Sequence, residues 1–104
     1  MERNEILGLL ERKSALYVLL DVREHPGASK TEVQNREKLN VRTKFVRIEE
    51  LVKAGLITEN RDPRQHATVK LHLSPEGQEI ADFVLKIVES AKTLPSLKSE
   101  DKSV

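Results

Sequence analysis

Arg42, Thr43, Lys44 and Arg47 crowd into two turns of a segment with helical periodicity, and no acid stands among them. Arginine can pair with O6 and N7 of guanine through two parallel hydrogen bonds. Threonine can hydrogen-bond a base edge or offer its methyl group to thymine. With Val46, these side chains would line a helix surface suited to the major groove of duplex DNA, where the first turns of a helix reach base edges. Glu49 and Glu50 follow a turn later, farther from such a groove. The competing reading is a solvated helix face with scattered charge.

Two further groups carry compatible chemistry. Arg61, Arg64, Gln65 and His66 surround Pro63 in a turn-like stretch, residues 60–67. Placed over a duplex, such a tip would meet the phosphate backbone, and an arginine could enter the minor groove. Ser29, Lys30 and Thr31 open a short helix and could hold a phosphate through side chains and free N–H groups. Ser29 and Glu32 equally form the capping-box pattern, which is a purely local role.

The charge is distributed unevenly. Net charge is only +1, yet residues 36–53 hold six bases against three acids, and residues 60–72 three against one. Residues 76–92 reverse the balance, with two bases against four acids. A basic middle fits an anionic partner better than the near-neutral whole would suggest.

Other chemistries find little support. The chain has no cysteine, which removes disulfides and thiolate metal sites, and its three histidines (His25, His66, His72) stand without such ligands. No metal, no cofactor and no enzymatic activity are expected, since no glycine-rich phosphate loop or nucleophile elbow occurs. Aromatic residues are 3% of the chain, too few for base-stacking platforms. No apolar run approaches the roughly 18 residues of a membrane span. The acidic start, Met1-Glu2-Arg3-Asn4-Glu5, is unlike a secretory signal. A cytoplasmic protein with no membrane partner is expected.

The elements that must position these residues can be read in order. Residues 2–25 have helical apolar spacing with a break near Lys13-Ser14, and His25-Pro26-Gly27 ends the run. The capped short helix follows, to about Lys38. Asn40 is a good N-cap for the next helix, residues 41–54, which Gly55 ends in a left-handed conformation. Val41, Phe45, Ile48, Leu51 and Val52 are expected on its core face. Arg42, Thr43, Val46, Arg47, Glu50 and Lys53 are expected on the other. Residues 56–73 read as a β-hairpin, because β-branched flanks enclose a polar, proline-containing centre. Ser74-Pro75 then starts a last helix, residues 76–94, with one apolar stripe from Ile80 to Leu94. Residues 1–95 are expected to form one domain, and 96–104 a polar tail.

In combination, the element order, Leu39-Asn40, the run Ile48-Glu49-Glu50-Leu51-Val52-Lys53-Ala54-Gly55-Leu56-Ile57 and Leu73-Ser74-Pro75-Glu76-Gly77 resemble the winged helix-turn-helix regulators, particularly the MarR-like and HxlR-like groups. The sequence departs from their pattern at Gln34, Glu37 and Lys38. It departs again at Lys44, where a buried aliphatic residue is frequent; Phe45 is expected to fill the core instead.

The resemblance implies a mostly helical α+β fold with a two-stranded hairpin wing and a C-terminal dimerisation helix. It implies a homodimeric transcriptional regulator of double-stranded DNA, with helix 41–54 in the major groove and wing 60–67 on the backbone or minor groove. The surplus apolar surface of Ile6, Leu10, Ile80, Phe83, Val84, Ile87, Val88 and Ala91 would form the two-fold interface. Packing of those helices within one protomer is the competing use. No residue set identifies a small-molecule effector. Two alternatives keep the fold: a protein-interaction module of the transcription machinery, and an architectural binder indifferent to sequence.

Overall fold

The computed structural model describes residues 3–36, 40–61, 63–64 and 68–94. The elements are α1 (Arg3–Leu10), α2 (Ala15–Glu24), α3 (Lys30–Asn35), α4 (Val41–Lys53), β1 (Ile57–Arg61), β2 (Val69–Leu73) and α5 (Pro75–Ala91). The fold is mostly helical, with one antiparallel two-stranded sheet.

Local signals account for most boundaries. The first helical run breaks at residues 11–14, where Ser14 adopts a left-handed φ of 71° and still accepts from the Val18 amide at 3.0 Å. Ser29 Oγ accepts from the Glu32 amide and the Glu32 carboxylate accepts from the Ser29 amide, both at 3.1 Å, so the capping box is complete. α3 ends at Asn35, short of the expected Lys38, and residues 37–39 lie outside the described ones. Asn40 Oδ1 accepts from the Thr43 amide at 2.9 Å. Gly55, at φ 84°, closes α4 in a Schellman arrangement: its amide donates to Val52 and the Leu56 amide to Leu51, both at 3.0 Å.

The hairpin pairs Ile57 with Leu73 and Arg61 with Val69, and every rung between them follows in register. The segment before α3 adds a short third edge. The Gly27 amide donates to the Leu71 carbonyl and the Leu71 amide to Ala28, each at 2.9 Å, and Ser29 bridges Lys70. The hairpin is thereby tied to the helix pair whose second member is α4.

The core joins Leu9, Val18, Leu19, Val22, Val33, Ile48, Leu51, Leu56, Ile57, Leu71 and Ala81. α2 lies at its centre, in contact with every other helix and with β2.

Two faces differ from the sequence expectation. On α4 the buried residues are Lys44, Ile48 and Leu51, whereas Val41 and Phe45 are each 46% exposed. Lys44 therefore takes the core position assigned to Phe45. The four- and three-residue steps from 44 to 48 to 51 follow the helical period as well as an apolar stripe through Phe45 does. The lysine stem is apolar enough to fill the site, provided the ammonium finds an acceptor. On α5 the expected single stripe divides in two. Gly77, Ala81 and Val84 face inward, while Phe83, Ile87 and Val88 face outward. The inward residues are small because α5 presses against the chain after α4: a Cβ on Gly77 would lie 2.0 Å from the Leu56 carbonyl oxygen.

A candidate nucleic-acid interface

α3 and α4 form a helix-turn-helix pair, and the hairpin follows directly. α4 is anchored by Ile48 and Leu51, so its opposite face, Arg42, Val46, Glu49 and Lys53, is exposed. Arg42 and Lys53 have no hydrogen-bond or ion-pair partner among the described residues. Thr43 is half-buried beside them.

Three of the expected basic contacts are otherwise engaged. Lys44 is 2% exposed and its Nζ donates to the Val33 carbonyl at 3.1 Å. This carbonyl lies in the last turn of α3, where helix geometry leaves acceptors unpaired. Lys44 thus caps α3 from inside the core and leaves the set of groups that can reach a groove. Arg47 is only 16% exposed at its side chain. Its Nε donates to the Lys13 carbonyl at 2.8 Å and its guanidinium pairs with Glu50, which also binds Arg12. Arg47 therefore braces α4 against the turn between α1 and α2.

Lys30 is the third. Its Nζ pairs with Glu49 of α4 and with Glu59 of β1, the latter at 3.0 Å, and sits 5.2 Å above the Phe45 ring. Partial burial pulls the Lys30 pKa down, but the two carboxylates outweigh it and hold it above the usual lysine value. One ammonium so joins α3, α4 and the wing, and masks the negative charge of Glu49 on the outward face. Ser29 is occupied by capping, and Thr31 is exposed.

On the wing, Arg61 and Arg64 are exposed, while Gln65 and His66 lie outside the described residues. The pairs around Lys30 and Arg47 escaped the sequence reading because their partners stand 19 to 38 residues apart. Only the Arg47–Glu50 spacing carried a local signal.

A separate, apolar surface lies along α1, α2 and α5. Leu7, Leu10, Leu16, Tyr17, Phe83 and Ile87 line an open groove between α1, α2 and α5. Phe83 and Ile87 are 59% and 65% exposed, and Leu94 extends the surface. Of the residues expected at an interface, Ile6, Leu10, Ile80 and Ala91 are half-buried within the protomer, and Val84 is buried there. Among the described residues no cluster of His, Cys, Asp or Glu could hold a metal ion, and no helix is long and apolar enough to cross a membrane.

No protein-family model and no curated protein matches the sequence. Solved structures do. The transcriptional regulator SlyA superposes with a TM-score of 0.76 at 15% identity, over 95% of this chain and 73% of that one. A MarR protein from Peptoclostridium difficile gives 0.73 at 18% identity, over 95% and 69%. Streptococcus pneumoniae FabT, solved in complex with DNA, gives 0.63 at 16% identity, over 95% and 77%. At these identities the likeness is one of architecture, and it agrees with the element order, the wing and the helix pair: the chain has the MarR-type winged helix-turn-helix fold.

Proposed function

We propose that the protein is a cytoplasmic, homodimeric transcriptional regulator that binds double-stranded DNA in a sequence-specific manner. The observation that carries this reading is the outward face of α4. It is the second helix of a helix-turn-helix pair, and the rest of the described chain leaves it uncovered beside a hairpin bearing Arg61 and Arg64. In this reading α4 enters the major groove, with Arg42 and Val46 toward base edges and Thr43 beside them. The wing, residues 60–67 with Arg61, Arg64, Gln65 and His66, lies on the backbone or in the minor groove. Thr31 meets a phosphate at the start of α3. The DNA-bound FabT structure of the same architecture supports this mode.

The dimer part of the reading is supported by the apolar surface of α1, α2 and α5. An exposed apolar surface formed by Phe83, Ile87, Val88 and Leu94 next to Leu7 is larger than isolated surface residues explain. A two-fold axis there would cover it, with Ile6, Leu10, Ile80 and Ala91 at its edge, and binding to two half-sites then requires the two α4 helices to stand about 34 Å apart, one turn of DNA.

The test is binding to duplex DNA across a salt series, with the mass in solution measured in parallel. A dimer that prefers some sequences over others is expected. A monomer with equal affinity for every duplex would remove the regulator reading and leave an architectural binder. The engagement of Lys30, Lys44 and Arg47 inside the protomer favours one further reading, a winged-helix protein-interaction module. Absence of any DNA affinity at low salt would point there.

A further inference from the structure

With Lys44 buried and Arg47 braced, the side chains of the first two turns of α4 that stand free on its outward face are Arg42 and Val46, with Val41 and Phe45 on the rim. Val46 is 41% exposed, and no described residue packs over it as a core contact. Lys30 covers the carboxylate of Glu49, the next residue along the same face. The surface offered to a base edge is thus one guanidinium followed by a branched aliphatic group. Arg42, Lys53 and Arg61 supply the positive charge that a duplex would complement.

Valine has no donor and no acceptor. In the major groove the only alkyl group a base presents is the 5-methyl of thymine, which stands farther out than the C5–H of cytosine; the N7, O6, O4, N6 and N4 groups are acceptors or donors that Val46 would strip of water without replacing the hydrogen bond. We infer that Val46 is a specificity-determining residue that reads a thymine 5-methyl group, next to a guanine paired with Arg42. The inference rests on the DNA-binding reading above and names what that site selects. The rise from residue 42 to 46 is about 6 Å along the helix, which places guanine and thymine within about two base-pair steps of each other.

The experiment uses the full chain and a duplex that it enriches from a random-sequence library. Each thymine of that duplex is replaced in turn by deoxyuridine, which removes only the 5-methyl group, and affinity is read by fluorescence anisotropy. At one thymine per half-site the loss is expected to be about fourfold, the ratio that burying one methyl group carries. Val46→Ala should bind the thymine duplex correspondingly less well and lose the distinction between thymine and deoxyuridine there. Its thermal midpoint should stay near the wild-type value, because the side chain is exposed. Val46→Thr, which keeps one γ-methyl, should retain part of the discrimination. If deoxyuridine is neutral at every position, or if Val46→Ala keeps the full discrimination, the inference is overturned while DNA binding stands. If no duplex is enriched and none binds at low salt, both fall together.

Discussion

α4 and α5 are both amphipathic helices with capped starts, yet they present opposite chemistry to solvent. α4 buries a lysine and shows Arg42, Val46 and Lys53 outward, while α5 buries glycine and alanine and shows Phe83 and Ile87. Side-chain hydrophobicity alone would orient neither helix correctly. What decides is the distance to the neighbour. α5 approaches Leu56 so closely that only Gly77 fits. On α4 the space toward α3 takes a lysine stem, whose ammonium reaches the Val33 carbonyl.

The comparison can be broken most severely at Gly77. Gly77→Ala puts a Cβ against the Leu56 carbonyl, which belongs to backbone and yields little, so a loss of about 3 kcal/mol or more is expected in urea unfolding. Gly8, with nothing within 4 Å of an added Cβ, is the control, and its alanine variant should be neutral or slightly stabilising.

On α4 the corresponding cut is Lys44. Lys44→Ala removes a buried stem and the donor to Val33, and should cost about 2–4 kcal/mol. Lys44→Met keeps the volume and should stay within about 1.5 kcal/mol of wild type. If Lys44→Ala proved harmless to stability but lowered DNA affinity, the lysine would belong on the outer face after all.

The outward faces are tested by function. Arg42→Ala should weaken binding to the enriched duplex by about 1–3 kcal/mol and leave the thermal midpoint unchanged. Ile87→Asp should do the converse, shifting the solution mass toward the monomer without unfolding it, since Ile87 is 65% exposed. A dimer that survives Ile87→Asp would move the interface elsewhere.

The smallest effect is one of pH. Glu32 is held below the usual carboxylate value by the backbone hydrogen bond from Ser29, and Asp82 by the hydrogen bond from Arg23. Both carboxyls favour the folded state above their unfolded pKa values, and this contribution disappears as pH falls through the lower folded values. Thermal midpoints should therefore decline below about pH 4.5, and Glu32→Gln should flatten the decline slightly.

Much of the fold was legible in the sequence, because its signals concern backbone groups satisfied within a few residues. Ser29, Asn40 and Ser74 each cap a helix, Gly55 takes the left-handed conformation expected of it, and the hairpin spans the stretch where β-branched residues flank a proline-containing turn. The sequence likewise placed the break near Ser14. The candidate interface was less legible. Its location on α4 and the wing came from order and spacing, but the roster of available side chains did not.

What the sequence by itself determined is where helices and strands begin and end, since a cap or a turn needs only its own residues to satisfy an amide or a carbonyl. What the tertiary structure alone decided is which face each helix turns inward and which charges remain available. Lys44 became a core residue because Val33 offered a carbonyl at the right distance. Lys30 and Arg47 were drawn to Glu59 and to the Lys13 carbonyl, which are near them only once the chain has folded. Arg42 and Val46 stayed outside because α4 was anchored by its opposite face, and that is where the proposed recognition of DNA rests.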